Sequence, residues 1–184
     1  MKTPTEAQEE ATDLLLYGKE HILDSDFPSA VACFGKACEL FSAQFGEYAK
    51  ECAESYFYCG KALLELSRLE VEDQENESTK DGGMEEGDDS EADESTTEGG
   101  ENAEEKKEEE SYKLQLACGM LELAKSVYTK QMESSEGTEA ELEKLCSTML
   151  SLGEVSLEKE NYSKAVEELQ LCLKTQESLP KENR

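Results

Sequence analysis

"YAKECAESYFYCGKALLELSRL", residues 48–69, and "YKLQLACGMLELAKSVYTKQM", residues 112–132, each place apolar residues at steps of three and four. That period gathers them on one face of a helix. Between them stands "EVEDQENESTKDGGMEEGDDSEADESTTEGGENAEEKKEEES", residues 70–111, with 20 acids against 3 lysines. So much charge and so little apolar surface cannot offset the entropy of ordering, which predicts a disordered segment over 70–111. How the two flanking helices relate across it decides the fold.

The rest of the chain supplies the ruler. "AQEEATDLLLYGKEHIL" repeats at helical steps through Ala7, Ala11, Leu14, Leu15, Gly18 and Ile22. "DSDFPS" stops it, with Ser25 or Asp26 placed to cap the next helix and Pro28 suited to its first turn. "SAVACFGKACELFSAQF" carries Ala30, Cys33 or Phe34, Ala37, and Leu40 or Phe41 as its stripe. Near the end, "LEKLCSTMLSLGEVSLEKE" and "YSKAVEELQLCLKTQESL" form a pair divided at Asn161. No stretch alternates with a period of two, so the fold class is all-α.

With Gly18 as reference, Ala30, Phe34 and Ala37 follow; with Gly153, Ala165, Leu169 and Cys172 follow at the same offsets. Small, large, small at this spacing is what closely packed helix pairs need. After Gly60 the same offsets fail, for Glu72 stands where alanine belongs. Ala117, Leu121 and Ala124 restore them 45 residues late. The acidic segment therefore interrupts the second of three helical pairs, a tolerable excursion because closure entropy grows only logarithmically with loop length. This is the tetratricopeptide pattern, without tryptophan at its fourth position. It predicts a solenoid of about three repeats: 1–69 as repeat one plus the first helix of repeat two, 70–111 as the insertion, 112–179 as the remainder and 180–184 as a tail.

Composition excludes several function classes. The 184 residues carry a net charge of −27, −17 of it in the insertion. Nucleic acid and anionic membrane would be repelled, while basic partners are favoured. No apolar run is long enough to span a bilayer. The seven cysteines lack a C-x-x-C pair and His21 is the single histidine, so no metal constellation and no cofactor are expected. Cysteines at apolar helical positions read as reduced core thiols. Without a phosphate loop or a nucleophile–base pair, no enzyme is expected.

"FGEYAKECAESYFYCGKALLELSR", "LQLACGMLELAKSVY" and "LGEVSLEKENYSKAVEELQLCL", with the break inside repeat two, resemble the nuclear autoantigenic sperm protein family, histone chaperones with interrupted tetratricopeptide repeats. The resemblance implies binding of histone H3 or H3–H4, linker histone H1 as a further partner, and a nuclear as well as cytoplasmic location. It also implies a fourth repeat and a long C-terminal helix, which this chain lacks; it reads as a fragment, short isoform or truncated relative. An uncapped third repeat would expose an apolar face, so homodimerisation or aggregation is expected.

Two groups of carboxylates are candidates for a basic ligand. In the insertion they are Glu85, Glu86, Asp88, Asp89, Glu91, Asp93, Glu94, Glu104, Glu105, Glu108, Glu109 and Glu110, acting collectively. In repeat three they are Glu154 and Glu158, four residues apart on one helix face, and Glu160 at the turn; the resemblance matches these to positions that contact H3. Tyr56 and Tyr162 are expected to pack rather than bind. Ser90 and Ser95 each precede an acid by three residues, a spacing acidophilic kinases favour. The competing reading is a generic protein–protein adaptor whose acidic loop only solubilises.

Overall fold

The computed structural model describes residues 4–80, 99–134 and 138–177, and for residues 4, 72–80 and 99–106 only the backbone. Among the described residues the regular structure is helical: α1 Pro4–Leu23, α2 Phe27–Phe45, a short 3-10 turn Lys50–Cys52, α3 Ala53–Lys80, α4 Gly99–Glu133, α5 Glu139–Glu158 and α6 Tyr162–Glu177. Helices pair as α1 with α2, α3 with α4 and α5 with α6, and successive pairs stack through α2 on α3 and α4 on α5. This is the tetratricopeptide-like solenoid that the repeat phasing predicts.

The steric logic of the pairs is visible at the three glycines. A Cβ added at Gly18 would lie 2.5 Å from the Phe34 ring, at Gly60 2.6 Å from Leu121 Cγ, and at Gly153 2.9 Å from Leu169. Each large residue thus fills the notch its paired glycine opens. The Gly60–Leu121 contact joins α3 to α4 across the acidic segment, so the two halves of the interrupted repeat are one helical pair.

The turns repeat as well. Ser25 and Glu160, each seven residues after its glycine, adopt φ 58° and 55°. Asp26 N–H then donates to His21 O at 2.9 Å, and Asn161 N–H to Ser156 O at 2.8 Å, the bonding of a left-handed helix stop. Asp26 and Asn161 cap the next helix by accepting from the backbone N–H groups of Ser29 and Lys164. In repeat two the equivalent residue is Ser67, which stays helical and is buried. There the stop is missing, and α3 runs on to Lys80.

Helical backbone therefore enters the acidic segment from both ends, to Lys80 and from Gly99; residues 81–98 lie outside the described residues. Lys113 on α4 donates to both carboxylate oxygens of Glu70 on α3, at 2.7 and 2.6 Å, closing the base of the excursion.

The core runs through all three pairs. Ala11, Ala30, Phe34, Ala37, Ala117, Leu121, Ala124 and Ala165 are all inaccessible. Five of the cysteines are buried and all seven are free thiols. Tyr56 is in the core as expected. Tyr162 is not: it stands 63% exposed at the start of α6. With Val166 and Leu173 it forms an exposed apolar stripe on the outer face of α6.

Candidate functional site

The first helices of the pairs, α1, α3 and α5, are tied side by side by ion pairs. At one end Glu54 on α3 accepts from Lys19 of α1 at 3.0 Å and pairs with Lys144 of α5 at 3.5 Å. Lys19 also lies 4.9 Å from the centre of the Tyr58 ring, a cation–π contact. Partial burial opposes charge on Glu54, but the two lysines outweigh it and hold its carboxyl below the usual range.

At the other end the carboxylates of repeat three meet a cation that the sequence reading did not single out. Arg68 on α3 donates through Nε to Glu158 at 2.7 Å and through a terminal nitrogen to Glu65 at 3.2 Å. The same terminal nitrogen lies 4.0 Å from Glu154. The predicted pair Glu154 and Glu158 does share one face, and that face looks onto Arg68. Burial works against the guanidinium's charge, yet the bond to Glu158 and the fields of Glu65 and Glu154 raise its pKa further. Three carboxylates against one arginine leave the cluster at −2.

Glu158 also joins the face formed by the first helices α1, α3 and α5, the groove face of the solenoid, to the insertion. A cleft of about 340 Å³ is lined by Ser67, Arg68 and Val71 of α3, Glu110 of α4 and Glu158 of α5. Its neighbour, of similar volume, is lined by Lys107, Glu110, Ser111 and Leu114 of α4 together with Glu158, Lys159 and Glu160, so two lysines share it with three carboxylates. Glu110, from the acidic run, and Glu158, from the end of α5, thus line both clefts, and Glu160, at the turn of repeat three, lines the second. Glu109 is held by Lys113 at 3.0 Å, and Glu108 is exposed. The side chains of Glu104 and Glu105, and all of Glu85, Glu86, Asp88, Asp89, Ser90, Glu91, Asp93, Glu94 and Ser95, lie outside the described residues.

On the opposite side the second helices are linked by Lys125 to Glu168 at 2.6 Å and Lys164 to Glu122 at 2.7 Å. Among the described residues no group of three His, Cys, Asp or Glu side chains is placed to hold a metal ion, and no helix is long and apolar enough to cross a membrane.

The SHNi-TPR family model matches residues 147–181, which span most of α5 and all of α6. Protein HGV2 of Halocynthia roretzi is 42% identical over 69 residues, 38% of this chain and 14% of its own length. The nuclear autoantigenic sperm protein of Homo sapiens is 40% identical over 84 residues, 39% of this chain and 11% of its own length. Histone-binding protein N1/N2 of Xenopus laevis is 46% identical over 61 residues, 33% of this chain and 10% of its own length. The chain therefore spans only a small part of the length of the curated relatives it matches. In its interrupted second repeat, its glycine-keyed helix pairs and these matches, the chain is similar to the nuclear autoantigenic sperm proteins.

Proposed function

We propose that this chain is a non-catalytic histone chaperone that binds H3 or H3–H4, with linker histone H1 as a further client, in the nucleus and the cytoplasm. The observation that carries the reading is that Glu110 and Glu158 line both clefts beside α4 and α5, with Glu160 joining them in the second. Interruption inside repeat two brings the return helix of the acidic segment to the edge of the groove carboxylates. A lysine- and arginine-rich histone surface would be drawn in by the whole acidic field and then seated by the fixed carboxylates. The name of the Xenopus relative, a histone-binding protein, supports the same choice. Phosphorylation of Ser90 or Ser95 would add about −1.5 to −2 charge per site and strengthen capture.

The test is a pulldown of purified H3–H4 and H1 at rising salt. It compares the full chain, a variant with residues 81–98 replaced by a short neutral linker, and the triple change Glu154, Glu158 and Glu160→Gln. Both variants are expected to release histones at lower salt than the full chain. If no form retains histones at low salt, the reading fails; if the triple change has no effect, the groove assignment fails.

A further inference from the structure

Resting on the histone-binding reading above, we infer that Arg68 is a built-in competitor: its guanidinium occupies the place that an arginine of the basic ligand takes, so the site selects arginine over lysine. The carboxylates of Glu65, Glu154 and Glu158 come from two helices and converge on one planar cation. A fork of N–H donors can engage several carboxylates at once, whereas a lysine ammonium is a compact point charge. The arrangement already shows which cation shape those three side chains accommodate.

Arg68 is also exchangeable. Its side chain is 35% exposed, as are its partners to a similar degree, and the contact to Glu154 is long. Ion pairs this open to water are weak, so the closed form exceeds the open one by only about fivefold. A ligand that must open it first loses apparent affinity by about sixfold. Lysine-rich ligands recover little on displacing a guanidinium, while an arginine restores the same geometry. The cleft beside Arg68, bounded by Val71 and Glu110, gives the displaced side chain room to swing.

The experiment uses the full chain, Arg68→Gln and Lys61→Gln, the last removing the same charge from an exposed position on the same helix. Two short basic peptides, identical except for arginine or lysine at every basic position, are titrated by fluorescence anisotropy. Arg68→Gln should bind the arginine peptide up to about sixfold tighter and the lysine peptide less than about twofold tighter. Lys61→Gln should move both peptides equally and by less. The Nε–H resonance of Arg68 in the wild-type chain should shift when the arginine peptide is added. A loss of affinity in Arg68→Gln would show that Arg68 positions the glutamates rather than competes, and overturn the inference. Equal gains in the two variants would reduce the effect to net charge, with the same result. An H3–H4 complex that forms while the Arg68 resonance stays fixed sinks this inference alone. Absence of any histone binding sinks the reading beneath it.

Discussion

Gly60→Ala puts the packing logic at its most exposed. The added Cβ would lie 2.6 Å from Leu121 Cγ and 3.0 Å from the backbone oxygen of Ala117. Carbon–carbon contacts are comfortable at about 3.5–4.0 Å, so the overlap is close to 1 Å. Leu121 is wholly buried, and the atom struck is its branch point, which no rotamer change at the tip removes. The helices α3 and α4 must therefore move apart, an overpacking cost of about 1–3 kcal/mol. Alanine's better helix propensity returns about 1 kcal/mol. The expected net loss is about 1 kcal/mol, a fall in Tm of about 2–4 °C, read by thermal and urea unfolding. Gly119→Ala is the matched control, because Gly119 is exposed in the interior of α4 and nothing lies within 4 Å of its added Cβ. There only propensity acts, and Tm should rise. Combining Gly60→Ala with Leu121→Ala should cost less than the two changes summed, since the second removes what the first strikes. The reasoning is refuted if Gly60→Ala is as stable as Gly119→Ala, or if the double change is strictly additive.

Two further perturbations test the ion pairs that hold the solenoid together. Lys113→Met removes the donor that closes α3 on α4 at the base of the excursion. With the lysine side chain only 15% exposed, the loss should be about 1–2 kcal/mol, seen as a lower urea midpoint, and an unchanged midpoint would count against the pair. Glu54 and Glu122 both have carboxyl pKa values lowered from 4.5, Glu54 because Lys19 and Lys144 outweigh the opposing effect of its burial, Glu122 mainly by its bond to Lys164. Carboxyls that bind protons less tightly when folded stabilise the fold above the unfolded value, and that contribution disappears as pH falls through the folded one. Glu54→Gln should therefore lower Tm at neutral pH and approach the parent as pH falls below the usual carboxylate range; an offset that stays constant through that fall would show that the pair carries no pH-linked stability.

The sequence was most readable where the cause is local and steric. A glycine and a bulky residue at fixed offsets identify a helix pair because only that combination lets the backbones approach, and Gly18–Phe34, Gly60–Leu121 and Gly153–Leu169 all meet. The stop after α1 was readable from "DSDFPS", which left Ser25 and Asp26 as cap candidates, and Asp26 is the one that caps α2. The reach of α3 and α4 into the acidic segment was not, since glutamate, lysine and glutamine are good helix formers whose apolar period is nil. Once a packed helix exists, adding residues costs little compared with starting one. Arg68 was missed for a different reason. Its i, i+3 partner Glu65 was visible in the chain, but Glu158 is 90 residues away and meets it only after α5 docks beside α3.

That docking gives the position of the interruption its consequence. An acidic tract placed between repeats would leave a solenoid at the junction of two finished pairs, with the groove unaffected. Placed within repeat two, it makes α3 and α4 its two stems. α3 carries Arg68 and Val71 past the point where the other repeats turn, and α4 brings back Glu110 to the side of Glu158. The missing stop at Ser67, where Ser25 and Glu160 bend the chain in the other repeats, is what aligns these stems with the groove. Restoring a left-handed stop at Ser67 should therefore uncouple the insertion from the groove even if every carboxylate is kept.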